Sequence, residues 1–464
     1  MTTEDWRNQI ARIEQLARSQ GLKYHPVEFE VVPESFMTEI AIYGLPVRMP
    51  HWSFGVRYIY QLIQHRMGLS RLFEVVFPGN PGRAYLANSN SGAENMLVTA
   101  HVLGHADFSS NNMLFRRSQD QVGEHIVEQA AAHARQIGRA IQEYGVERVE
   151  SVLDAALSLE QHVDVDKALR RSRYPELVPE RTRTDEDEFS KRFASLGPDT
   201  QRPRSGGGLV KRSPIPPHPE KDLLWFIAQY SPEMEPWERD IFLAVREESF
   251  YFYPVFACQI MNEGWASYWH ARLLREADFL PQAAYLDAIK CHSDVVRPTA
   301  SGENVALSTN PYHLGFSIWE SIIKDRGLEQ ARKIMCEDDD FSFIRNHLTL
   351  ELATELKLFR YKGPSNGALT VQPTDLAFLQ ESLLAPKYGF GAPTVSAVRV
   401  HVDGKLELLH DHVTDGRGLD PDRGRKVLEY IARVWRRPVT LTTVDNDNRT
   451  VEISVTPDLS ALRH

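Results

Sequence analysis

Residues 237–277 read WERDIFLAVREESFYFYPVFACQIMNEGWASYWHARLLREA. This unusually aromatic run has helical spacing and is far too long for a strand, so it predicts long buried helices. Before it, DLLWFIAQY from Asp222 is a further helical stretch, and a third helical group is expected from Asn310 to Arg360. At the start of the chain Trp6, Ile10, Ile13 and Leu16 share one helical face, and Gly21 ends that helix. Between Pro26 and Pro50 the pattern shortens, and VEFEVV and EIAIYG read as extended connections. A helix-rich region then runs to about residue 165. Its later part, Glu124 to Leu159, is rich in Ala and Gln and reads as surface helix.

After about residue 390 the period changes from helical to alternating. TVSAVRVHV and KLELLH flank Asp403-Gly404, a strong hairpin signal. A helix from Pro421 to Trp435 follows, and VTLTTV and TVEISVT form a second hairpin around residues 445–448. The expected fold is therefore mainly α. It comprises a helical main domain over residues 1–385 and a small C-terminal α+β domain of ββαββ order over 390–464. Residues 180–220 are dense in charge, then in Gly, Pro, Ser and Arg, and cannot bury enough apolar area to offset their ordering entropy. They read as a flexible insert.

A chain of 464 residues is long enough for two or three cores. Its net charge of -10 offers no global attraction for nucleic acid or an anionic membrane, and no apolar run reaches the length of a membrane span. The N-terminus has acidic residues where a signal peptide carries basic ones. Cys258, Cys291 and Cys336 are odd in number and widely spaced, which disfavours a disulfide framework or a zinc ribbon. The expected location is cytoplasmic.

His101 and His105 lie four apart in AHVLGH, so one helical face can present both imidazoles to a single metal ion. Glu94, seven residues earlier, falls on the same stripe. In MNEGWASYWH, Glu263 and His270 repeat the seven-residue spacing. HxxxH followed later by Glu-Gly-Trp-Ala resembles the ligand triad of the gluzincin zinc peptidases. That resemblance implies a divalent ion, zinc above all, on His101, His105 and Glu263. Zinc peptidases place a Glu after the first His to take a proton from water; here the residue is Val102, so Glu94 or His270 is expected as the base or as outer support. The bland alternative is a buried polar network pinning two helices. His51 in MPHWSFG divides evenly between function and packing, while His313 in STNPYHLGF reads as structural, with Asn310-Pro311 starting a turn. Asn111 and Asn112 read first as caps.

HWSFG (51–55), NPGRAYLAN (80–88), HVLGHADFSSNN (101–112), EPWERDIFLAVREESFYFYP, MNEGWASYWH and NPYHLGF together resemble the stage V sporulation protein R (SpoVR) family. The resemblance implies a role in sporulation and the spore cortex, or in stress-related envelope physiology, with a PrkA-like serine kinase or an envelope-synthesis factor as partner. Two functions follow as expectations: a metal-dependent hydrolase, or a non-enzymatic regulator on a zincin-like scaffold that has lost its base. A dinuclear iron or manganese site ranks last, because its usual Glu-x-x-His pairs are missing from the helices.

Overall fold

A computed structural model describes residues 3–57, 73–166, 215–279, 282–295, 310–358, 360–362, 370–372, 375–445 and 447–457. In chain order α1 (Thr3–Ser19), β1 (Val27–Val32) and α2 (Glu34–Tyr43) precede β2 (Glu74–Phe77) and β3 (Gly82–Ala87). Next come α3 (Gly92–Asn111), α4 (Met113–Val122), α5 (Ile126–Tyr144) and α6 (Val146–Ser158). Then follow α7 (Leu223–Tyr230), α8 (Pro236–Ala257), α9 (Gln259–Glu276), α10 (Gln282–Val295), α11 (Pro311–Glu337), α12 (Asp340–His347) and α13 (Leu350–Glu355). After the short hairpin β4 (Arg360–Lys362) and β5 (Thr370–Gln372) come α14 (Leu376–Leu384) and a 3-10 segment, Ala385–Gly391. The chain closes with β6 (Val395–Val400), β7 (Leu406–His410), α15 (His412–Asp415), α16 (Pro421–Trp435), β8 (Val439–Val444) and β9 (Thr450–Val455). The fold is mainly α, as the sequence predicts.

Helix α3 is the centre of the main core. Ser91 and Glu94 form a capping box at its start, each side chain accepting from the other's backbone N–H, and Asn112 closes it. Its residues from Met96 to Ser109 are buried all round, because α9, α11, α1 and β3 surround it. Such a helix needs small residues where neighbours cross, and the glycines supply them. A Cβ at Gly104 would stand 2.6 Å from Ala266 Cα. One at Gly264 would stand 2.2 Å from the Gly315 carbonyl carbon, and one at Gly315 would stand 2.0 Å from Ile260 O. Trp265, Trp269 and Trp319 pack around these crossings, fully buried.

Buried polar groups fix the register of this interlock. Asp107 accepts from the Lys23 backbone N–H at 2.7 Å and from the Trp265 indole at 3.0 Å. Asp340 accepts from Ile260 and Met261, capping the start of α9 from another helix, and Lys387 lies 2.8 Å from it. Without those acceptors the first N–H groups of α9 would be buried and unmade, each at a cost of about 1–3 kcal/mol.

Two local expectations change. EIAIYG alternates in sequence, yet Glu39–Gly44 is the end of α2, whose Met37 and Ile40 face inward and whose C-cap Gly44 takes a left-handed φ of 75°. Burial on one helical face overrides the short alternation. The helix-rich segment before residue 165 also contains β2 and β3, which join β1 in a small sheet of order β1-β3-β2, with β1 parallel and β2 antiparallel to β3. The C-terminal strands follow the expected ββαββ order, with β7 and β8 parallel, as the crossover through α16 requires. Their apolar faces share one core cluster with α5, α6, α7 and α8. Of the expected insert, residues 180–214 lie outside the described residues; Glu220 pairs with Ala397 beside β6.

The region after α2 is tied to α5 and α8 by charge. Glu248 is fully buried, 2.6 Å from Arg48 Nε, and His133 lies between Glu248 (3.6 Å) and Glu247 (3.2 Å). Burial opposes the His133 charge, but the two carboxylates prevail and raise its pKa from 6.5 to about 9. A raised histidine stabilises the fold fully below pH 6.5 and loses that contribution as pH rises through about 9. Thermal midpoints of His133→Gln should therefore lie below wild type at pH 6 and converge with it near pH 10. The crossings make a second prediction: Gly264→Ala should destabilise by at least about 1–3 kcal/mol in denaturant titration, because its neighbour is backbone and cannot repack.

Candidate metal centre

Helix α3 carries His101 and His105 one turn apart, their rings at 4.5 Å and nearly perpendicular. Helix α9 brings Glu263 against them at the level of the Gly264–Gly315 crossing. Glu263 Oε2 lies 3.5 Å from His101 Nε2 and 3.4 Å from His105 Nε2, and one donor atom from each residue falls within 4.8 Å of the others. Tetrahedral ligands about 2.1 Å from an ion are spaced about 3.4 Å apart, so both Glu263 separations suit shared coordination. His101 Nε2 and Glu263 Oε2 are buried and make no hydrogen bond. Two orphaned atoms facing one point are costly unless something binds them, and the three residues fit a divalent cation.

The far side of each imidazole is held. His105 Nδ1 meets Asn262 Oδ1 at 2.9 Å, which requires a proton on Nδ1, so the neutral ring keeps its lone pair on Nε2. His101 Nδ1 meets His270 Nδ1 at 2.9 Å, and His270 Nε2 meets His292 Nδ1 on α10 at 2.6 Å. If His101 keeps its Nε2 lone pair, its Nδ1–H donates to His270, whose Nε2–H donates to His292. Metal-binding histidines are held this way by outer partners. Tyr312, at the start of α11, stacks near His101, and the Glu263 charge beside it, with burial, raises its pKa well above the usual value.

The protonation of His101 and Glu263 agrees with cation binding, while a proton on His105 competes with it. Burial, helped by His105, lowers the His101 pKa to about 4, and burial holds His270 well below its usual value. Burial pushes Glu263 upward, but the two histidines outweigh it and keep the carboxyl well below its ordinary range. For His105 burial opposes protonation, and Glu263, Asn262 and Glu74 together raise its pKa. Neutral His101 beside an ionised Glu263 is the donor state a cation needs at neutral pH.

Among the predicted site residues, His101, His105 and Glu263 come together and His270 stands directly behind His101. The Glu94 carboxylate is occupied in the capping box two turns away, at the start of α3. Val102 is fully buried in the main core. Sequence reasoning missed Glu74 at the start of β2, whose Oε1 lies 3.9 Å from His101 Nε2. Burial, reinforced by Glu263 and opposed by His105, raises its pKa to about 7. The side chains of Glu74 and Glu263 remain 19% and 21% exposed, against 3% for His101, so the cluster opens on its carboxylate side. Tyr312, His292 and Asn262 were also missed; Asn262, next to Glu263 in MNEGWA, was the most readable. Asn310 caps α11 with Pro311 at its first position, so the Asn-Pro pair begins a helix. Asn112 caps α4, as its residue type suggests.

The family model described as SpoVR like protein matches residues 1–378. A relative from Escherichia coli (strain K12), described as uncharacterized protein YcgB, is 27% identical over 473 residues, spanning 94% of this chain and 91% of its own length. No solved structure matches the chain significantly. Among the described residues no helix is long and apolar enough to cross a membrane.

The outer partners make a measurable prediction. Substituting His270→Phe or Asn262→Leu should weaken divalent metal binding about 10–100-fold in chelator competition while all three candidate ligands remain.

Proposed function

The chain belongs to the SpoVR family, and we propose that it is a metal-dependent hydrolase with its ion on His101, His105 and Glu263. The observation that carries this reading is the meeting of two imidazole Nε2 atoms and one carboxylate oxygen at coordination spacing, two of them orphaned and both rings held from behind. Two imidazoles and one carboxylate suit zinc with an open fourth position, and such an ion supplies Lewis acidity.

The remaining work falls to the chain. Glu74 takes the role that the residue after the first His plays in zinc peptidases: its Oε1 receives the proton of an attacking water on the open side of the cluster. It reaches that position from a strand, so Val102 is free to pack in the core. His270 and Asn262 hold the two rings. We propose that this activity serves sporulation or stress-related envelope physiology, a reading the family resemblance supports, with amide or ester bonds of peptides or cell-wall fragments as the substrate class.

Metal analysis and a hydrolysis screen against peptides and peptidoglycan fragments test the two parts separately. Purified wild type should carry about one divalent ion per chain, and Glu263→Gln should lose it. Glu74→Gln should keep the ion and lose about 100-fold or more in turnover. Well-folded wild type that takes up no metal would sink the centre; unchanged turnover in Glu74→Gln would remove Glu74 from the role of base.

A further inference from the structure

A second cluster stands apart from the metal centre, in the HWSFG segment. His51 Nδ1 lies 2.7 Å from Ser53 Oγ, and His51 Nε2 lies 3.1 Å from Asp154 Oδ1 on α6. The Trp52 indole donates to the same Asp154 oxygen at 2.9 Å and fixes the carboxylate. We infer that Ser53, His51 and Asp154 form a nucleophilic triad that makes Ser53 reactive toward carboxylic esters, independently of any metal.

The hydrogen bonds fix the proton order. A carboxylate can only accept, so the His51 proton sits on Nε2 and Nδ1 keeps its lone pair. The Ser53 hydroxyl must then donate to Nδ1, as a serine activated by a general base does. The two ring nitrogens exchange the places they have in the serine proteases, but the order hydroxyl, imidazole, carboxylate is preserved. Exposure follows the roles as well. The His51 side chain is only 3% exposed, Ser53 is half-buried, and Trp52 beside it is 53% exposed, an apolar surface for an acyl chain.

In the reaction Ser53 Oγ bonds to the ester carbonyl carbon, and its proton passes to His51 Nδ1. The bond to the leaving alcohol breaks, and the alcohol departs with that proton. Water then attacks the acyl-serine by the same route, releasing the acid and restoring the hydroxyl.

His51 also precedes the helical residues 52–57, and its Nδ1 accepts weakly from the Ser53 N–H at 3.4 Å, so a purely capping role is the competing account. A fluorophosphonate probe separates the two: Ser53 Oγ forms a bond to phosphorus, fluoride leaves, and His51 takes the proton. In intact full-length protein, mass mapping should find the label on Ser53, and Ser53→Ala should remove it. His51→Asn keeps a good cap acceptor but has no base, so labelling should slow about 100-fold or more at an unchanged melting temperature. Asp154→Asn keeps the shape while releasing the tautomer, and should slow labelling comparably; either variant that stays folded is decisive. His101→Ala should label at the wild-type rate. Wild type without label on Ser53, a folded His51→Asn or Asp154→Asn that labels at full rate, or a folded His101→Ala that does not label would each overturn the inference.

Discussion

The closeness of three helices governs this molecule. Where α9 crosses α3 and α11, the backbones meet with no room for a side chain at residues 104, 264 and 315, and Ala266 is all that fits opposite Gly104. Interiors pack at crystal-like density, so contacts this tight leave little freedom in axial or rotational position. Glu263 and Ala266 belong to the same turn as Gly264. The carboxylate therefore reaches the two histidines at a place set by packing, and the four letters Glu-Gly-Trp-Ala read as candidate ligand, crossing, anchor to Asp107 and second crossing.

Electrostatics complements this frame. Carboxylates with structural duties, Asp107 and Asp340, are wholly buried and surrounded by donors or cations. Glu74 and Glu263 differ, because their open side faces solvent and the polar groups around them leave buried atoms unbonded. Stability is obtained where charge is fully matched, and binding capacity where it is left unmatched.

What could be read from the chain depended on range. His101 and His105 were legible because four residues make one helical turn, and Glu263 because its neighbours form a compact local signature. Glu74 was not: it sits in the apolar run FEVVF, and only the pairing of β2 with β3 carries it to a helix some thirty residues on. The stripe that linked Glu94 to His101 was sound as helical geometry, but Ser91 three residues before Glu94 made it a capping residue. The C-terminal ββαββ order was legible from alternation and the Asp-Gly turn. Its shared core with α5 to α8 depends on long-range packing that no local period encodes.

The imidazole row from His101 through His270 to His292 has a property that single ligands lack. Neutral rings bonded in sequence can hold their protons in only two arrangements, all pointing outward or all pointing inward, since a mixed row would set two protons or two lone pairs against each other. A guest on His101 Nε2 selects the outward arrangement for every ring at once. Occupancy at the centre is thereby written as a direction along the row, legible at its far end on α10 without any atom of the backbone having to shift.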